Sequence, residues 1–169
     1  MAYDFHGPWS ATSGHHAQLY SPPTFPASPS AATAISYIFS LTPPIPPSKL
    51  LLGLPCQGRA FSGATGPNQP FHPPMQLAGH TIDNKAFDYC DLPLEGTIEH
   101  VDESVRGAWC LDTEGDNGWI SYDNVATVRS KAGFVRDWGL GGLFYWTGTG
   151  DKKGPGSLVE AGYEALHAL

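Results

Sequence analysis

Five side chains in this sequence are suited to gripping a polar ligand, and each stands at or just after the end of a short apolar run. Tyr3 and Asp4 are adjacent near the start, Gln57 and Arg59 follow Leu50–Leu54, and Trp146 closes Leu143–Trp146. A phenol and a guanidinium donate hydrogen bonds, a carboxylate accepts them, and an indole offers a flat apolar face with one polar tip. The competing reading is equally open at this point: Tyr3 and Trp146 as core aromatics, and Asp4 with Arg59 as an ordinary ion pair. His6, His15 and His16 raise the question of a metal. They have neither an H-x-x-x-H helix spacing nor a neighbouring carboxylate set, which favours ordinary loop histidines and no metal. Gly139-x-Gly141-Gly142 precedes a strand, whereas a nucleotide loop follows one, so no cofactor is expected.

These groups must be placed by secondary structure. Met1, Tyr3 and Phe5 alternate as on the end of a strand, and an irregular Gly/Ser/Pro loop over Gly7 to Pro29 follows. Ile35, Ile38 and Phe39 predict a helix within Ala31 to Leu41, ended by Pro43, Pro44, Pro46 and Pro47. Leu50–Leu54 reads as a strand buried on both faces of a parallel sheet. Gly107–Leu111 and Gly118–Tyr122, separated by Thr113–Asn117, read as a hairpin. Asn124 is placed to cap a helix reaching about Trp138, with Val128, Val135 and Trp138 on one stripe and Gly139 as its stop. Leu143–Trp146 is a third parallel strand, and Ser157 with Glu160 forms a capping box for a last helix facing the core through Val159, Gly162, Tyr163, Leu166 and Leu169. If parallel strands carry the candidates at their C-terminal ends, the arrangement has the grammar of an α/β barrel or a doubly wound sheet.

The 169 residues carry nine basic and sixteen acidic side chains, a formal charge of −7. That balance argues against binding a nucleic-acid backbone or an anionic membrane surface, and no apolar run approaches the length of a membrane span. Hydrophobic residues at 41% fit one folded domain, and 20 glycines with 16 prolines predict long shaped loops. Cys56, Cys90 and Cys110 form no C-x-x-C pair; one disulfide is possible, and core positions are the simpler expectation. The opening residues lack the basic and apolar regions of a signal peptide, which taken literally predicts a cytosolic chain.

Six collinear segments carry a resemblance that spacing alone does not: Met1-Ala2-Tyr3-Asp4-Phe5-His6-Gly7, Ser13-Gly14-His15-His16, Lys49–Pro55, Gly58-Arg59-Ala60-Phe61, Ile120-Ser121-Tyr122-Asp123 and Gly139–Trp146. Together they resemble the family 18 glycoside hydrolases, in particular the secreted chitinases of fungi. The resemblance implies an α/β fold, the C-terminal part of a (β/α)8 TIM barrel: residues 1–61 and 124–169 would supply strands six to eight and their helices, and 62–123 an α+β insertion lobe forming one wall of a cleft. It implies chitin or chito-oligosaccharides as partner, retaining hydrolysis in which the substrate's own acetamido group is the nucleophile, and an extracellular location for the complete family member. Tyr3 resembles the donor to the acetamido oxygen, and Asp4 the residue supporting the distorted sugar, with Arg59 as its charge partner. Met1 resembles part of the acetamido pocket, Trp146 the floor under the cleaved sugar, and Trp9 and Asp83 contacts on the cleft wall. The family's general acid, borne on a D-x-x-D-x-D-x-E motif, is absent from these 169 residues. The resemblance therefore also admits a non-catalytic, lectin-like chitin-binding remnant or a truncated gene product. Strands lacking their barrel neighbours would leave polar edges open, so self-association of a monomer is expected.

Overall fold

The computed structural model of the chain describes residues 1–72, the backbone of 76–77 and 80–81, and residues 85–168. In chain order the elements are α1 (Ala31–Phe39), β1 (Leu51–Pro55), β2 (Gln57–Phe61), β3 (Gln76–Leu77), β4 (His80–Thr81), β5 (Ala86–Asp88), β6 (His100–Asp102), β7 (Gly107–Asp112), β8 (Gly118–Tyr122), α2 (Val125–Asp137), β9 (Gly142–Trp146) and α3 (Leu158–His167).

The strand expected at Met1–Phe5 does not form. Ala2 N–H reaches Gly53 O at 3.3 Å, tying the segment to β1. Asp4, however, lies at φ +60°, a left-handed conformation that ends an extended ladder. The two other expected parallel strands do pair: β1 runs beside β9 in register from Leu51 with Gly142 to Pro55 with Trp146. Helices α2 and α3 pack on each other and both touch β9. Leu52, Leu54, Ile120, Val128, Val135 and Leu158 meet in the main core.

A single residue, Cys56, separates β1 from β2, and there the sheet changes. β2 runs antiparallel between β5 and β8 in a five-stranded sheet ordered β5-β2-β8-β7-β6. Gln57–Phe61 thus pairs within this antiparallel sheet and not beside β1 and β9. The anticipated hairpin is β7–β8. Its turn is closed by Asp112, which accepts from Gly115 N at 2.8 Å and Asn117 Nδ2 at 2.6 Å. Phe61, Ala64 and Trp119 form a second small core under this sheet.

Local chemistry explains the helix limits. Asn124 and Thr127 make a reciprocal capping box at the start of α2, and Gly139 follows its end at φ +63°. Ser30 and Thr33 do the same for α1. At α3 only half the expected box exists: Ser157 accepts from Glu160 N, while Asp151 takes the Leu158 and Val159 amides at 2.8 and 3.1 Å. The buried face of α3 is Leu158, Ala161 and Gly162. Val159 and Tyr163, expected inward, point out, with Tyr163 65% exposed. Leu169 lies outside the described residues. Trp138 also proves half-exposed, stacked on Phe134 and Phe39. The cysteines are free, Cys56 and Cys110 buried and Cys90 exposed. Among the described residues no helix is long and apolar enough to cross a membrane.

Candidate functional site

The abrupt turn from β1 into β2 places the first polar group. Arg59 is the third residue of β2, only 8% exposed, and its side chain reaches back over the end of β1 to Asp4. Nε donates to Oδ1 at 2.9 Å and Nη2 to Oδ2 at 3.0 Å, the fork geometry in which a guanidinium holds a carboxylate best. The indole of Trp9 covers the guanidinium, with Arg59 Cζ 5.3 Å from the ring centre. Gly7 makes room for that indole, since a Cβ there would lie 2.5 Å from it. The ring remains 60% exposed, free to meet a ligand.

Behind the pair sits His16, fully buried, with Nδ1 3.6 Å from Asp4 Oδ1. Neither of its ring nitrogens has a hydrogen-bond partner among the described residues. Burial pushes the imidazole down, against the nearby carboxylates, so it is neutral at pH 7. Partial burial works to raise the Asp4 carboxyl. The His16 ring and the Arg59 guanidinium outweigh it and hold the group well below the usual carboxylate range. Tyr3 moves the other way: partial burial first, then the Asp4 charge, raises its hydroxyl. It is therefore a proton-bearing donor beside a fixed acceptor.

Of the residues singled out from sequence, Asp4, Arg59 and Trp9 are in direct contact and Tyr3 adjoins them. Trp146 joins through the backbone: its carbonyl accepts Cys56 N–H at 2.8 Å, three residues before Arg59, and its ring is 58% exposed at the end of β9. Met1 is 87% exposed. Asp83 lies outside the described residues. His6 and His15 build the loop itself. His6 Nδ1 meets His15 O at 2.9 Å, and His15 lies between Ser121 Oγ at 3.2 Å and Asp102 at 3.8 Å, its edge against Trp119. Burial lowers His15 too. Beside this loop a cavity of about 320 Å³ is lined by His6, His15, Gln18, Asp102 and Ser104 among others.

Two residues behind the site were not singled out from sequence for the part they play. Asp123 is buried and holds Lys131 Nζ at 2.5 and 2.6 Å. That ammonium also donates to the Ala17 carbonyl. One signal did exist: Lys131 falls between Val128 and Val135 on the apolar stripe of α2, where a lysine needs a buried partner.

Residues 1–151 match the family described as Glycosyl hydrolases family 18. Chitinase 1 of Aphanocladium album is 30% identical over 98% of this chain and 38% of its own length. The sporulation-specific chitinase 2 of Saccharomyces cerevisiae is 32% identical over 99% of this chain and 35% of its own. The crystal structure of the class V chitinase of Nicotiana tobaccum superposes with a TM-score of 0.82 at 28% identity, covering 99% of this chain and 48% of that one. A mutant of the Nicotiana enzyme was solved in complex with NAG4, with the same coverage and score. The chain thus spans less than half the length of each of these proteins.

Proposed function

The chain belongs to glycoside hydrolase family 18, and from that premise we propose that it supplies the sugar-binding side of a chitinase cleft, acting on β-1,4-linked N-acetylglucosamine polymers outside the cell. The observation that carries this is the Asp4–Arg59 fork beneath Trp9, with the proton-bearing Tyr3 hydroxyl next to it. Tyr3 donates to the acetamido oxygen and so orients it toward the anomeric carbon. Asp4, kept ionised, stabilises the positive charge that spreads into the acetamido ring as the glycosidic bond breaks. Arg59 fixes Asp4 and reaches a sugar hydroxyl. Trp146 stacks under the sugar, Trp9 guides the chain along the wall, and Met1 and Asp83 complete the contacts. The pairing of β2 within the antiparallel sheet supports an insertion lobe that begins near Gln57.

The leaving oxygen still needs a proton, and no D-x-x-D-x-D-x-E segment is present in this sequence. That absence favours a second reading for the 169 residues by themselves, recognition of chito-oligosaccharides without cleavage. Calorimetric titration with the N-acetylglucosamine tetramer, against cellotetraose as control, together with turnover of a fluorogenic chitobioside, tests both. Binding of the acetylated tetramer alone, with turnover at background, is the expected result. Equal binding of both sugars, or of neither, would overturn the proposed cleft. Turnover lost in Tyr3→Phe would show that another acid serves.

A further inference from the structure

Asp4 holds a left-handed backbone conformation, φ +60°, which aspartate tolerates better than most residues and which the neighbouring chain holds in place. The restraint nearest to it is a backbone bond: Phe5 N–H donates to His16 O at 2.9 Å. The segment carrying that carbonyl is itself held at three further points. His6 Nδ1 meets the carbonyl of His15, His16 N–H donates to Ser121 Oγ at 3.2 Å, and Lys131 Nζ donates to the carbonyl of Ala17. Lys131 is fully buried, as is Asp123, the carboxylate that grips it, and Thr127 Oγ1 donates to the same carboxylate at 2.8 Å.

A buried ion pair is seldom a net source of stability when compared with apolar residues of similar size. Its value here is directional, because the ammonium is aimed by Asp123 at a single loop carbonyl. We propose that Lys131 is a positioning residue for Asp4: held by Asp123, it fixes the Ala17–Gln18 peptide, and through it the adjoining His16–Ala17 peptide whose carbonyl takes the Phe5 N–H, which sets the conformation that presents the Asp4 carboxylate to Arg59. The importance of Asp4 rests on the chitinase reading above, but the geometry does not. Any ligand met by the Asp4–Arg59 fork would depend on the same chain of contacts.

The test replaces the pair by apolar residues, Asp123→Leu with Lys131→Met, and follows the Asp4 carboxyl by NMR as pH falls. The groups facing Asp4 are Arg59, His16 and Tyr3, and none of them is changed. In the unmodified chain Asp4 titrates well below the ordinary carboxylate range. In the double variant its midpoint is expected to rise by about half a pH unit as the fork with Arg59 loosens. The neutral pair Asp123→Asn with Lys131→Gln, which keeps a donor for the Ala17 carbonyl, is expected to restore a low midpoint. A folded double variant with an unchanged Asp4 midpoint would overturn the proposal. Should the variants not fold, amide exchange in the unmodified chain decides: Phe5 N–H is expected to exchange only as slowly as core amides of β8, and fast exchange by local opening would sink the idea. Tetramer binding, measured separately, distinguishes the two claims: a shifted midpoint without any sugar binding leaves the positioning role standing and removes the chitinase cleft.

Discussion

Asp4 and Arg59, 55 residues apart in sequence, meet through two nearly equal hydrogen bonds of 2.9 and 3.0 Å. One end of the pair is buried and the other is open, the side chains being 10% and 33% exposed. The contact therefore has direction, with a fixed guanidinium at its base and a carboxylate facing water.

The first prediction concerns acid. Asp4 titrates lower in the folded chain than the roughly 3.9 of an unfolded aspartate, so its contribution is complete above about pH 4 and is lost as pH falls below it. Water reaches a third of the Asp4 side chain, which discounts the gain to about 1 kcal/mol. Arg59→Met should remove that increment at pH 7 and cost distinctly less at pH 2, where the unfolded carboxyl is already protonated. Urea unfolding at both pH values measures it, and an equal loss at both would assign the effect to packing.

His15 and His16 give the second, in a higher window. Both are buried and pushed below the ordinary histidine value, so the unfolded chain takes up protons near pH 6.5 that the folded chain refuses. Stability present above pH 6.5 should fall as pH drops toward 5, by up to about 1.4 kcal/mol per pH unit for each ring. Melting temperatures across pH 7.5 to 5 should show this, with a shallower slope in His16→Gln. A flat profile would mean that both rings accept the proton in the fold, on Asp102 and Asp4.

Sequence legibility tracked how local the cause was. The limits of α2 follow from Asn124 and Gly139, each acting within a turn of itself, and the hairpin follows from two apolar runs around Thr113–Asn117. The face of α3 was misjudged because Leu158 and Val159 begin two overlapping stripes that share Gly162. The choice between them is made by Asp151 and Tyr145, neither of which lies on the helix. The failed strand at Met1–Phe5 has the same character: alternation was present, but the bond that bends Asp4 comes from His16. In the site, Asp4 and Arg59 carried a recognisable pattern. The stripe of α2 marks Lys131 as buried, but its grip on Ala17 joins residues 114 apart, and nothing local names that partner.

Two helix glycines should respond oppositely to the same change. A Cβ at Gly162 would overlap the Tyr145 hydroxyl, which is buried and without a hydrogen-bond partner among the described residues. A Cβ at Gly133, inside α2, would meet nothing within 4 Å. Gly162→Ala is expected to cost roughly 1–3 kcal/mol through overpacking, whereas Gly133→Ala should add roughly 0.5–1 kcal/mol by limiting the unfolded chain. Thermal melts of both variants are the measurement. A stabilising Gly162→Ala would show that Tyr145 can move aside.

The last prediction ranks the ligand contacts. The ring of Trp146 stands open to solvent at the end of β9, so burying its face under a pyranose displaces water from both apolar surfaces; such stacking is worth on the order of 1 kcal/mol or more. The Asp4 carboxylate exchanges bonds to water for bonds to sugar, and its strongest interaction, with Arg59, already exists without ligand, so its net gain falls at the low end of the roughly 0.5–1.5 kcal/mol of a typical hydrogen bond. Trp146→Ala should therefore weaken binding of the N-acetylglucosamine tetramer by about tenfold, a free-energy loss near 1.4 kcal/mol, and by more than Asp4→Asn does. His15→Ala belongs to a different class: its ring supports Ser121 and Trp119 from within the loop, so the change should lower the melting temperature while leaving affinity near the unmodified value in the fraction that stays folded. Calorimetric titration of the three variants at one temperature below all their melts separates these outcomes. Equal affinity losses from His15→Ala and Trp146→Ala would move the binding surface to the cavity lined by His6, His15 and Asp102, away from the ends of β1 and β9.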